Sequence, residues 1–355
     1  MFTREKTRRV LVGNVPIGGG APISVQSMTT TKTTDVAATL DEIKRLEDAG
    51  CDIVRVSVPN RPSVAALEKI LGKVRVPIVA DIHFDYSVAV LVADTGVAKL
   101  RINPGNIGAR DKVEKVVEKA KANRLPIRIG VNAGSLENDL LEKHGYPTAE
   151  AMVESALRHI RILEELDFYD IVVSVKASSV PLAVDSYRLI AQKVDYPLHL
   201  GITESGTLAS GSIYSAVGLG ILLHEGLGDT IRVSLTADVV EEVRAGRKIL
   251  AALDLAANVP RVISCPSCAR NHLDLYKIAE EVERRTADLR RPIKIAVMGC
   301  AVNGPGEARE ADFGIMGGAG GGQIFVDGKV VKKVPEDQLV DELEKEIRKR
   351  LTDKP

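Results

Sequence analysis

The sequence predicts an α/β protein: a (β/α)8 TIM barrel over residues 1–255, then a small α/β domain over residues 256–355. Three observations predict it. First, eight short β-branched runs recur between residues 21 and 252: APISVQSM, DIVRVSVP, PIVADIHF, KLRINPG, PIRIGVN, DIVVSVKA, PLHLGIT and TIRVSL. Second, each run is followed by a turn signal and a helical stretch, the alternation of βαβ units around a parallel sheet. Third, eight units in about 230 residues match the size of a closed barrel. A doubly wound open sheet is the competing architecture. It commonly has fewer strands, and no G-x-G-x-x-G follows the first strand here.

The elements follow in order. RRVLVGNVPIGGG reads as a β-hairpin that caps the bottom of the barrel. The clearest barrel helix is TAEAMVESALRHIRILEEL, with Thr148 as N-cap and apolar residues at helical spacing. Residues 253–261 form the boundary. Beyond it, RVISCPSC is a strand and turn, residues 272–288 a helix, and PIKIAVMGC and ADFGIMGG strands. QIFVDGKVVKKV is a hairpin turning at Asp327-Gly328, and EDQLVDELEKEIRKRL a final helix. GGAGGG at 317–322 is the one low-complexity tract.

Composition narrows the function. The chain has 355 residues, 45% hydrophobic and 27% charged, a globular composition that excludes disorder and fibrous repeats. Forty-eight basic residues balance forty-eight acidic ones, which argues against a nucleic-acid or membrane-surface binder. Trp is absent and aromatics are 3%, so base-stacking platforms are not expected. No run reaches the roughly 18 apolar residues of a membrane span. MFTREKTRRV lacks the apolar segment of a secretory signal, so the expected location is the cytoplasm. Four cysteines do not make a disulfide scaffold at this length.

Strand side chains alternate, so polar residues two apart near a strand's C-terminal end point into the barrel mouth. That parity selects Arg55 and Ser57, Asp81 and His83, Arg101 and Asn103, and Arg128 with Asn132. It also selects Ser174 and Lys176, His199 and Thr203 with Glu204 just beyond, and Arg232 with Ser234. Five cations, Arg55, Arg101, Arg128, Lys176 and Arg232, thus converge against two inward acids, Asp81 and Glu204. Unpaired buried charge is expensive. A multiply charged anion is the economical partner, and guanidinium forks suit phosphate. His83 and His199 also read as interior histidines, and His144, His159, His224 and His272 as surface or helix residues. Cys51 reads as a small core hydrophobe.

Cys265-Pro-Ser-Cys268 and Met298-Gly299-Cys300 lie at strand ends of the second domain. Three readings stay open on spacing: a redox dithiol, structural zinc, or an iron–sulfur cluster on three thiolates. The turn Asn303-Gly304-Pro305-Gly306 throws Glu307 back towards the thiols.

GCAVNGPGEAREADFGIMGG resembles a signature of the bacterial 4-hydroxy-3-methylbut-2-enyl diphosphate synthases, iron–sulfur enzymes of the non-mevalonate isoprenoid pathway. SVQSMTTTKTTD, VRVSVP, ADIHF, LRINPGNIG, IGVNAGSL, VVSVKAS, GITESG, IRVSLTAD and SCPSCAR extend the resemblance over nearly the whole chain. The resemblance implies reductive ring opening of 2-C-methyl-D-erythritol 2,4-cyclodiphosphate to the allylic diphosphate. It implies one [4Fe–4S] cluster on Cys265, Cys268 and Cys300, with Glu307 on the fourth iron. It implies substrate contacts at Arg55, His83, Arg101, Arg128, Asn132, Lys176, Glu204, Arg232 and Ser234, and strand parity adds Asp81 and Asn103 to them. Glu204, His83 and Glu307 become the catalytic candidates. A reduced flavodoxin or ferredoxin is the implied electron donor, and a head-to-tail homodimer the implied assembly.

Overall fold

The structure, a computed structural model, describes residues 2–83, 85–256, 259–300, 306, 309–318 and 320–352. The chain divides into two compact units, Met1–Leu255 and Ala256–Pro355.

The first unit opens with an antiparallel hairpin, β1 (Val10–Val12) and β2 (Val15–Ile17). Val12 and Ile17 pack on Ile53 and Val79, near the N-terminal ends of barrel strands. The hairpin therefore plugs the end of the barrel opposite the mouth. The barrel strands are β3 (Ser24–Met28), β4 (Ile53–Ser57), β5 (Ile78–Asp81), β6 (Lys99–Ile102), β7 (Ile127–Asn132), β8 (Ile171–Lys176), β9 (His199–Leu200) and β10 (Thr230–Ile231). They pair in parallel in the order β8-β7-β6-β5-β4-β3-β10-β9, and a parallel bridge from Val173 to Leu198 joins the two ends. The eight-stranded barrel read from the sequence is the observed architecture.

Outward-facing Val54, Val56, Ile78, Ala80, Leu100, Ile102, Ile127, Ile129 and Val131 are all buried, covered by the helices that follow the strands. Thr148 caps the helix Ala149–Glu164, its side chain accepting from the Ala151 amide. β9 and β10 are only two residues long, shorter than the runs PLHLGIT and TIRVSL suggest. The backbone still exchanges bonds beyond them, Arg232 N with Leu200 O and Thr203 N with Ala177 O. At Gly201 an added Cβ would lie 2.6 Å from Lys176 Nζ and 2.8 Å from the Arg232 carbonyl. A residue without a side chain at 201 lets those two polar groups approach the backbone closely.

The second unit is a mixed sheet, β11 (Arg261–Ser264), β12 (Lys294–Met298), β13 (Phe313–Gly318), β14 (Gly321–Val326) and β15 (Lys329–Val334), in sequence order. The first three strands run parallel and the last two antiparallel. The β14–β15 turn is Asp327-Gly328, both with positive φ (49° and 74°), as a type I′ turn requires. The glycine tract supplies the paired ends of β13 and β14. Helices Leu275–Thr286 and Leu339–Thr352 bury Ile278, Val282, Leu339, Leu343 and Ile347 against the sheet. The first starts later than residue 272 because the Asn271 side chain accepts from Leu273 N, holding 271–273 in a turn.

Candidate active site

Inside the barrel the strand parity holds, and it places charge in the core. Asp81, at the end of β5, is 2% exposed. Its carboxylate lies 3.5 Å from Arg55 Nε on β4, 3.4 Å from Arg101 Nη1 on β6 and 3.9 Å from His83 Nε2. Arg101 also donates to the Gly130 carbonyl, and Asn103 Oδ1 accepts from the Gly130 amide, both at 3.0 Å. Arg128 donates to Ser174 Oγ at 3.0 Å. Lys176 is buried on the same side of β8 as Ser174. Asn132 and Ser234 are half-buried at the ends of their strands. Glu204 is exposed, with a left-handed backbone (φ 53°), and among the described residues it makes no ion pair with the five cations.

The fifth cation has an acid that parity does not reveal. Glu242, on the helix Val239–Ala252, reaches inward and meets Arg232 Nε and Nη2 at 3.4 Å each. It also accepts from Ser27 Oγ at 2.8 Å and the Leu235 amide at 3.0 Å. Two further residues escape a reading confined to the mouth. Lys99 lies two residues before Arg101, on the same face and fully buried. His159 is a helix residue, but a buried one. Its Nδ1 accepts from the Gly105 amide and its Nε2 meets Glu137, each at 3.0 Å, which ties down the loop after β6. Asp81 and Glu242 are thus the acids in contact with this array.

The charges perturb one another. Burial opposes ionisation of Asp81, but Arg55 and then Arg101 outweigh it and hold the carboxyl below its usual range. Burial draws Arg55 down to about 10 against the pull of Asp81, with Arg232 and Arg101 adding to the fall; it remains a cation at neutral pH. Burial, then Arg128 and Arg232, push the Lys176 ammonium well down. His83, half-exposed, is lowered by burial and by Arg101 and Arg55, against Asp81. Such an array is suited to a ligand carrying two or more negative charges.

The thiols sit in the second unit. β11 and β12 pair in parallel with Ser264 beside Val297, so Cys265 and Cys300 emerge from the same end of adjacent strands. The Gly299 amide donates to Cys265 Sγ at 3.4 Å, and Gly299 O accepts from His272 N. The Cys268 carbonyl accepts from Asn271 N. A Cβ at Gly299 would lie 2.3 Å from Asn271 Oδ1, so the two loops close on each other only over a glycine. The amide that donates to sulfur and the soft thiol ligands at one sheet end fit an iron–sulfur group. Among the described residues no three His, Cys, Asp or Glu side chains stand close enough to share a single metal ion. Glu307 lies outside the described residues. Cys51 is buried, its thiol pushed up to about 12 by burial, and donates to the Ile53 carbonyl. Among the described residues no helix is long and apolar enough to cross a membrane.

Two known structures share the barrel, each covering 70% of this chain at a TM-score of 0.50. They are a dihydropteroate synthase from Xanthomonas albilineans (13% identical, 99% of its length) and a truncated 3-deoxy-D-arabino-heptulosonate 7-phosphate synthase from Thermotoga maritima (12%, 93%). They speak for the fold alone. Relatives over nearly the whole chain are far more similar. The 4-hydroxy-3-methylbut-2-en-1-yl diphosphate synthase (flavodoxin) of Geobacillus thermodenitrificans is 60% identical over 346 residues, 98% of this chain and 92% of that protein. The protein of the same name from Listeria monocytogenes is 59% identical over 344 residues, 97% of this chain and 94% of its own length. Residues 7–247 match the GcpE TIM-barrel domain and residues 261–349 the GcpE protein C-terminal domain, and the chain belongs to the GcpE family.

Proposed function

We propose that the chain catalyses the reaction its relatives are named for. It converts 2-C-methyl-D-erythritol 2,4-cyclodiphosphate to (E)-4-hydroxy-3-methylbut-2-enyl diphosphate, a step of isoprenoid biosynthesis, with two electrons from reduced flavodoxin. The observation that carries this is the near-full-length identity to enzymes of that name. In the reaction the ring C–O bond to the diphosphate breaks, one hydroxyl leaves as water with a proton, and two electrons enter. The diphosphate stays attached at its other end.

The barrel residues have work suited to that substrate. Arg55, Arg101, Arg128, Lys176 and Arg232 hold the diphosphate and stabilise the charge it gains when the C–O bond breaks. Asp81 keeps Arg55 and Arg101 apart and aimed. Asn103 fixes the backbone of β7 under the ligand, and Asn132 and Ser234 supply hydrogen bonds. Glu204 and His83 are the groups placed to carry the proton. A lowered imidazole such as His83 is neutral near pH 7 and able to give or accept it.

Cys265, Cys268 and Cys300 hold a [4Fe–4S] cluster, with Glu307 as fourth ligand in the absence of substrate. When bound, the cluster supplies single electrons and an open iron as Lewis acid. The enzyme works in the cytoplasm, where thiols stay reduced. Ferredoxin is the alternative donor. The assembly is a head-to-tail homodimer in which one chain's cluster domain serves the other's barrel. An exposed apolar stripe on the helix Leu208–His224, formed by Ile213, Tyr214, Val217 and Ile221, supports self-association.

The test is anaerobic turnover of the cyclic diphosphate with reduced flavodoxin, alongside iron and sulfide counts and sedimentation. About four irons and four sulfides per chain with formation of the allylic diphosphate are expected. Stoichiometric zinc without sulfide, or no product, sinks the proposal.

A further inference from the structure

Beneath the five mouth cations lies a layer of polar side chains that the proposed reaction does not use. Lys99 on β6 and His199 on β9 are fully buried, and Gln26 on β3 is 1% exposed. Lys99 Nζ, both ring nitrogens of His199 and both amide atoms of Gln26 have no hydrogen-bond partner among the described residues. Each lies on the inward face of its strand, one step below the ligand-facing residues. The charges acting on Lys99 are those of Arg128 and Arg55. On His199 they are Lys176, Arg128, Lys99 and Arg55. The acids of the array are already engaged, Asp81 by Arg55 and Arg101, and Glu242 by Arg232. The Tyr187 hydroxyl donates to the His199 carbonyl and leaves its ring untouched.

We propose that Lys99 and His199 form a proton-accepting floor under the anion site, so that a diphosphate seats in the barrel together with a proton drawn from solvent. An amine and an imidazole sealed among guanidiniums resist protonation while the mouth contains no anion. Burial is the largest cause and the neighbouring cations the next. A ligand of charge −2 offsets most of the excess positive charge left by five cations against Asp81 and Glu242, and in a low-dielectric interior that change acts strongly on groups directly beneath it. Binding and protonation are then linked: each raises the other by the same factor. The floor would add its positive charge only when ligand is present, without a permanent further cation in an already crowded core.

The inference rests on the reading of the mouth as a diphosphate site, and the experiment separates the two. The cluster-loaded enzyme, without reductant, is titrated anaerobically with the cyclic diphosphate in buffers of different ionisation enthalpy at pH 8. Each phosphoryl group of that ligand has a single, strongly acidic hydroxyl, so its own protonation does not change. The expected result is uptake of about one proton per ligand bound, with affinity falling by up to about tenfold per pH unit as pH rises. The double variant K99M/H199Q, similar in volume, should bind with little uptake and a flat pH profile. H83Q should retain the uptake. No binding by the parent overturns the diphosphate reading. Binding with no buffer dependence overturns the floor, a result that needs no variant to fold. Uptake that persists in K99M/H199Q but vanishes in K176M moves the proton to Lys176 and overturns it as well.

Discussion

Replacing Asp81 by Asn removes the acid shared by two guanidiniums and leaves the volume unchanged. At 3.5 and 3.4 Å, each contact is worth about 5 kcal/mol of attraction at an effective dielectric of 20, before desolvation is counted. The net cost of leaving buried partners uncompensated is smaller, about 3–5 kcal/mol. In a barrel of this size that corresponds to a fall in melting temperature of roughly 6–20 °C. The carboxyl is held below its ordinary value, so its contribution is complete above the unfolded-state value near 4 and is lost as pH falls through the folded value. The gap between parent and D81N should therefore close in acid and stay open from pH 6 to 8. A diphosphate supplies the missing negative charge, so the cyclic substrate should raise the melting temperature of D81N by more than that of the parent. Calorimetric melting with and without ligand measures both effects. A variant as stable as the parent at pH 7, or one that gains no more from ligand, would refute the view that Asp81 holds Arg55 and Arg101 in place of an anion.

Cys265→Ser, Cys268→Ser and Cys300→Ser should each lose cluster absorption and turnover, whereas Cys51→Ser, at a sealed core thiol, should keep both; Glu307→Ala should keep most of the iron and lose much activity. Arg101→Ala, Arg128→Ala, Lys176→Ala and Arg232→Ala should each weaken binding of the cyclic diphosphate by about 1.5–3 kcal/mol, roughly 10- to 150-fold, with the cluster spectrum unchanged. Calorimetric titration decides this, and four variants binding as tightly as the parent would move the anion site elsewhere. Gly201→Ala should reduce turnover sharply, because its Cβ needs the space of Lys176 Nζ and the Arg232 carbonyl; an unimpaired enzyme would show that this crowding relaxes freely.

The barrel was legible because two signals coincide in it: β-branched runs spaced by helices, and polar residues at every second position of those runs. The same parity singled out Arg55, Asp81, Arg101, Arg128 and Lys176, of which the structure sets Arg55 and Arg101 on the Asp81 carboxylate and Arg128 on Ser174. It fails where contact crosses between element types. Glu242 lies on a helix, and no spacing rule links it to Arg232 or Ser27. His159 fails for the same reason, since a helix face alone does not disclose the loop it ties down. Lys99 was within reach: it has the parity of Arg101, one step deeper, and is overlooked only when the search stops at strand ends. The shortness of β9 and β10 escapes the sequence as well, because local β propensity does not report where a ladder stops.

The interior of this barrel is also its site, and that sets where folding energy must come from. A barrel usually fills its lumen with branched apolar side chains. Here Gln26, Arg55, Asp81, Lys99, Arg101, Arg128, Lys176 and His199 occupy inward positions and bury little apolar area. Burying charge in such numbers opposes folding unless each is paired, and Arg128 and Lys176 have no acid in contact. The compensation lies on the other side of the sheet. The outward residues of β4 to β8 are almost all Val, Ile, Leu or Ala and almost all fully buried, each contributing about 1.5–3 kcal/mol for the larger side chains. The hairpin closes the bottom with Val12 and Ile17 rather than with more charge. Stability is thus built in the ring between strands and helices, and binding in the lumen. Removing a paired group such as Asp81 strips Arg55 and Arg101 of their acid, whereas Arg128 and Lys176, with no acid in contact among the described residues, oppose folding and serve what the lumen binds.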